Sequence, residues 1–152
     1  MFDITRPGAV DPAMHVAGKK PLFHELAGLA AEAHGLDAGE VLELLTERER
    51  LGTTGFGGGT AIPHARIPGL DHVVSAFARL THPVDYGSID NVPVDLVYLL
   101  LSPVDAGAAH LKALAHVSRL MRDKACVAKL RDAGSADAIV ALLDPEDWRD
   151  AA

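Results

Sequence analysis

The stretch "VDLVYLLL", Val94–Leu101, decides how the rest of the chain has to fold. Apart from Asp95 it is apolar throughout, so it lacks the alternation of a strand with one wet face. It reads as a strand buried on both sides. A strand of that kind needs a covering layer on each face, which predicts helices across a sheet. Its apolar heart, Leu96–Leu101, is far too short to cross a bilayer, which takes about 20 residues.

The flanking sequence supplies the neighbours. Upstream, "VVSAFARL" (Val73–Leu80) alternates well enough to be a second strand, and "PVDYGSIDNVPVD" (Pro83–Asp95) reads as short strands and turns. Downstream, "AGAAHLKALAHVSRLM" is a helix with Leu111, Leu114, Ser118 and Met121 on one face. "KACVAKLRDAG" follows as a helix ending at Gly134, and Ser135 caps a last one that stops before Pro145. Near the N-terminus, Leu22, Leu26, Leu29 and Ala33 recur at helical spacing behind Pro21, and Gly35 ends that helix. Asp37, with Glu40 three residues on, caps another running to about Leu51. The expectation is one α/β domain over residues 1–152, with a mixed central sheet of about five strands flanked by helices. Residues 1–18, rich in proline and glycine, are expected to be partly irregular, with a short strand at "PAMHVAG".

Composition narrows the function classes. The net charge of −7, with no basic stripe, argues against nucleic-acid binding. The first ten residues carry Asp3 and no long apolar core, so they are not a secretory signal. The single cysteine, Cys126, leaves no intrachain disulfide and fits a reducing cytoplasm, where a packed thiol is expected.

Two positions break the pattern around them. Val41, Leu44, Leu45 and Leu51 define an apolar stripe whose missing member is Arg48. A guanidinium at a core edge needs a partner to replace lost water. It snorkels, pairs with a structural carboxylate, or waits for an anion such as phosphate, which its planar fork suits. Arg50 lies about 200° away and reads as a solvated charge.

The other position is His64. The segment Gly52–Gly69, "GTTGFGGGTAIPHARIPG", holds six of the chain's 14 glycines. Pro63 keeps Ile62 out of helical geometry, so "TAIP" is extended and delivers His64 to a strand end at the sheet edge. A neutral imidazole there can serve as base, metal ligand or nucleophile. The glycines match neither a Walker loop, which needs Lys-Ser/Thr after the last glycine, nor a dinucleotide fingerprint, whose third glycine is replaced by Thr60 or Ile62. They leave a bare backbone that a bulky partner can approach. His110 and His116 sit about 120° apart on their helix, too far round to chelate one metal. His110 opens that helix, where free N–H groups attract anions, and is the better companion for His64. His72, His82 and His116 read as surface or flank residues, and His15, His24 and His34 show no constellation.

"RERLGTTGFGGGTAIPHAR" resembles the phosphorylation segment of enzyme IIA domains of the bacterial phosphoenolpyruvate-dependent phosphotransferase system, in the fructose/mannitol/nitrogen-regulatory class. Glu49, Phe56, Gly57, Ala61, Ile62, Pro63 and His64 fit its pattern, and the likeness extends from about Lys19 to Leu143. Thr60 stands where an aliphatic residue is usual, and Gly58 where Asn is frequent. The resemblance implies that His64 is the phosphoryl acceptor, Arg48 the phosphate-stabilising arginine and His110 the second active-site histidine. Gly57, Gly58 and Gly59 would form the loop beside the acceptor. It implies a phosphotransferase without metal or cofactor. Its donor would be a histidine-containing phosphocarrier protein, and its acceptors regulatory targets or a IIB domain. It resembles the free-standing nitrogen-regulatory branch, with a sugar-transport IIA component as the alternative. A non-catalytic protein-binding regulator is the reading from a different class.

Overall fold

The computed structural model describes residues 7–143. Val94–Leu101 lies inside a nine-residue strand that is buried at every position but Asp95, as its composition requires. In chain order the elements are β1 (Val10–Met14), α1 (Lys19–His34), α2 (Ala38–Arg50), β2 (Gly55–Gly57), β3 (Thr60–Ala61), β4 (His64–Arg66), β5 (Val74–Val84), β6 (Val94–Ser102), α3 (Ala108–Arg122), α4 (Lys124–Asp132) and α5 (Ala136–Leu142). The sheet runs β1-β5-β6-β3-β2, with β4 also paired to β6. It is mixed: β5–β6 and β2–β3 are antiparallel, while β1–β5, β3–β6 and β4–β6 are parallel.

Alternate residues of β6 feed two cores. Val97, Leu99 and Leu101 pack with Leu22, Leu26, Val41 and Leu45 under α1 and α2. Leu96, Tyr98 and Leu100 pack with Ala113, Val117, Leu120 and Leu130 under α3 and α4. The predicted caps hold: Asp37 accepts from the Glu40 amide at 3.0 Å, Ser135 from that of Ala138 at 3.1 Å, and Gly35 ends α1 in the left-handed region at φ 67.

Several boundaries differ from expectation, each for a tertiary reason. Among the described residues the mixed sheet, expected to have about five strands, has six, because Pro63 interrupts one line of backbone into β3 and β4. His64 therefore opens a strand instead of ending one. β1 begins at Val10, inside the segment expected to be irregular, because it pairs in parallel with Phe77–Leu80 of β5. β5 starts one residue later than predicted and continues to Val84, which pairs with Val94. Between β5 and β6 no further strand forms. The buried face of α3 is His110, Ala113, Val117, Leu120 and Met121, while Leu111 is 65% exposed. The predicted stripe and the observed one are a single residue, about 100°, apart. Ala113 is fully buried in one core with Leu96, Tyr98 and Leu100 of β6. Leu51, assigned to the α2 stripe, caps the helix and is 85% exposed. Pro145, expected to stop the last helix, lies outside the described residues.

Candidate functional site

The break at Pro63 builds the site. Proline lacks an N–H, so the ladder cannot run through it. The Pro63 carbonyl still accepts from Leu100, and His64 restarts the pairing opposite Leu100. β2 covers β3 only, so β4 pairs with no second strand among the described residues. His64 thus occupies an open sheet edge that helices on both faces can reach.

From one face comes Arg48, in the last turn of α2. Its Nε–H donates to His64 Nε2 at 3.2 Å, and its Nη1 to the Gly52 carbonyl at 2.9 Å. From the other comes His110 of α3, whose ring centroid lies 5.7 Å from that of His64. His110 is buried, and its Nδ1 lies 2.6 Å from Ser102 Oγ. The three residues selected from sequence therefore meet.

The partners of His64 fix its tautomer. A carbonyl only accepts, so Nδ1, 2.8 Å from Ile62 O, carries the proton. A guanidinium only donates, so Nε2 keeps its lone pair. Burial pushes the His64 pKa below its usual value. The bond to Ile62 opposes that shift, Arg48 adds to it, and Glu49 opposes it. His110 is lowered by burial, then by Arg66 and by His64. Both shifts favour the neutral ring.

An NMR titration of His64 should accordingly give a midpoint below 6.5. The unfolded chain takes that proton first, so His64 costs stability as pH falls from 6.5 through the lowered folded value, and nothing above it. A midpoint at or above 6.5 would contradict this environment.

Behind Arg48 sits Glu49, half-buried. It receives Lys19 Nζ at 2.8 Å, the Thr54 amide at 3.0 Å and the Thr54 hydroxyl at 2.5 Å. Burial alone would raise its pKa, but the bonds from Lys19 and Thr54 outweigh it and the net shift is downward. The Thr54 hydroxyl also lies 2.6 Å from Tyr86 Oη, and Lys19 stands 4.4 Å over the Tyr86 ring. Glu49 matched the sequence pattern without a role, whereas Thr54 and Tyr86 gave no sequence signal. Arg66 was also missed. It lies two residues from His64 on the same strand face, a spacing readable from the pleat. Its charge reaches His110, and its Nη1 donates to Val104 O at 3.2 Å.

The triple glycine lies elsewhere. Gly57, Gly58 and Gly59 turn the β2–β3 hairpin with φ values of 101, 65 and 86, which only glycine takes readily. Gly59 O accepts from Asp95 and Leu96, and Arg131 ties Gly58 O to the Asp95 carboxylate. Leu96 is four residues along β6 from Leu100, the partner of His64, a separation of roughly 13 Å. These glycines shape the hairpin at the opposite end of β3 from the His64 ring. A side chain at Gly59 would run into Arg131.

Of the remaining histidines, His72 and His82 are exposed as expected, although His82 lies within β5. His15 is not isolated: its Nδ1 bonds Thr81 Oγ1 at 3.0 Å and its ring stands edge-on to His82. His34 Nε2 is 3.0 Å from Ser75 O. Cys126 is buried, and burial raises its thiol to about 11, which makes it a packing residue. Among the described residues no helix is long and apolar enough to cross a membrane.

The sequence and the fold have known counterparts. The family model for the phosphoenolpyruvate-dependent sugar phosphotransferase system, EIIA 2, matches residues 3–145. The nitrogen regulatory protein of Bradyrhizobium diazoefficiens is 49% identical over 141 residues, 93% of this chain and 92% of that one. The nitrogen regulatory protein of Pseudomonas aeruginosa is 40% identical over 127 residues, 82% of each. The crystal structure of nitrogen regulatory protein IIA-Ntr from Neisseria meningitidis superposes with a TM-score of 0.83 at 35% identity, covering 92% of this chain and 94% of that one. With nearly the whole described fold matched, this chain belongs to the EIIA 2 family of the phosphoenolpyruvate-dependent sugar phosphotransferase system.

Proposed function

We propose that the protein is a phosphohistidine carrier of the nitrogen-regulatory branch, accepting a phosphoryl group on Nε2 of His64 from a histidine phosphocarrier protein. The observation that carries this reading is the divided imidazole: proton on Nδ1, lone pair on Nε2, and a guanidinium 3.2 Å from that lone pair. A lone-pair nitrogen is a nucleophile, and a guanidinium beside it neutralises the phosphoryl group that arrives.

In the transfer, the Nε2 lone pair attacks phosphorus in line as the donor's P–N bond breaks and its electron pair returns to the donor nitrogen. The donor ring enters protonated at its other nitrogen and leaves as a neutral imidazole. His64 retains Nδ1–H on Ile62 and so carries the matching proton after transfer. Arg48 must release Nε2 as the phosphoryl group comes in, and its N–H groups pass to the phosphoryl oxygens while Nη1 stays near Gly52. With Ser102 donating to Nδ1, His110 presents Nε2–H to the same oxygens. Such a transition state spreads charge over three oxygens, so positioning and charge do most of the work.

The surroundings suit a protein as donor. Leu51, Leu111 and Val104 are exposed on the segments that hold Arg48, His110 and the carbonyl bound by Arg66. Exposed apolar residues rimming a charged centre are a feature of protein interaction sites. The nitrogen-regulatory names of the relatives favour regulatory partners as targets and a cytoplasmic setting. The test is incubation with labelled phosphoenolpyruvate, the first enzyme of the relay and its phosphocarrier. Acid-labile, base-stable label on this protein is expected. No label, with the phosphocarrier itself labelled, would overturn the reading.

A further inference from the structure

The bonds around Glu49 and those around His64 form one circuit. Lys19 donates to Glu49 Oε2, and Thr54 donates to the same carboxylate through its amide and its hydroxyl. Because the carboxylate can only accept, the Thr54 hydroxyl proton points to Glu49, and Tyr86 Oη must donate to the Thr54 oxygen. The Thr54 carbonyl then accepts from the Ile62 amide at 3.0 Å. The Ile62 carbonyl accepts Nδ1–H of His64, and Arg48, next in sequence to Glu49, donates to Nε2.

We propose that Thr54 and Glu49 are positioning residues for phosphoryl transfer: by fixing the Ile62 peptide they hold the acceptor ring in its Nδ1–H tautomer with Nε2 turned to Arg48. The proposal rests on His64 as acceptor and adds how the ring is oriented. The Ile62 N–H···O bond lies outside the strand ladder, so Thr54 supplies an acceptor that β3 does not. Because Pro63 follows, this peptide has no help from a continuous ladder on that side. Without its side-chain anchor, the turn from Leu51 to Thr54 is free to shift. The Ile62 carbonyl then loses its aim at Nδ1, and both ring tautomers become accessible. A network that merely joins the end of α2 to β2 would leave the ring proton where it is.

The test uses protein labelled with 15N in histidine, read at pH 8, beside the transfer assay. Wild type should show His64 protonated at Nδ1 alone. Thr54→Val and Glu49→Gln should each show a mixture with Nε2–H, with kcat down about tenfold and KM for the phosphocarrier within about twofold. Thr54→Ser should restore both readouts. Unchanged His64 tautomer in folded Thr54→Val, checked by its amide spectrum, overturns the proposal, as does unchanged kcat. Thr54→Val keeps every backbone bond and decides alone should Glu49→Gln fail to fold. Failure of the carrier reading looks different, because wild type would then take no label while its ring proton still reads out.

Discussion

His64→Ala is expected to remove all acid-labile label from the protein while leaving it folded. No other imidazole can substitute. Among the described residues His110 is the imidazole that faces His64, ring centroids 5.7 Å apart, and it is buried with its Nδ1 engaged by Ser102. His64 itself is half-buried on an open edge and belongs to neither apolar core, so its loss should move the urea midpoint little. The measurement is label per mole of protein after exposure to excess phosphorylated carrier, with unfolding monitored in parallel. Undiminished label would move the acceptor to another residue and with it the role of Arg48.

Arg48→Ala should slow transfer by roughly 10²–10³-fold, the range seen when a preorganised donor to transition-state charge is removed. The fall should appear in kcat more than in KM, because the guanidinium bonds the neutral ring at rest and the phosphoryl oxygens during reaction. The His64 titration midpoint should rise in the same variant, since Arg48 is one of the charges that depress it. Arg48→Lys should restore the charge but only part of the rate. An ammonium is a point donor and cannot bond Nε2 and Gly52 O with a planar fork. A rate within about threefold of wild type in Arg48→Ala would mean that the guanidinium is a structural cap on Gly52 and no more.

The parts legible in the sequence were those encoded locally. Leu96–Leu101 gave away a doubly covered strand because burial leaves no polar face. Arg48 stood out because it interrupts an apolar stripe, and Asp37, Gly35 and Ser135 marked helix ends through their own side chains or φ. Where two local patterns were equally good, local reasoning had no way to choose. Both 111/114/118 and 110/113/117 are helical stripes on α3, and packing of Ala113 and Val117 with Leu96, Tyr98 and Leu100 of β6 selected the second.

The sequence by itself determined the α/β class, singled out Arg48, His64 and His110 as candidate site residues, and carried the motif of the family. Only the tertiary structure decided that Arg48 and His110, borne on opposite layers, converge on one imidazole, that Glu49 reaches that imidazole through Thr54 and Ile62, and that the triple glycine turns away from it. Residue spacing sets which way a side chain faces on its own element. Which elements meet at the open edge of a sheet depends on strand order and register, and those follow from burying both faces of β6 at once.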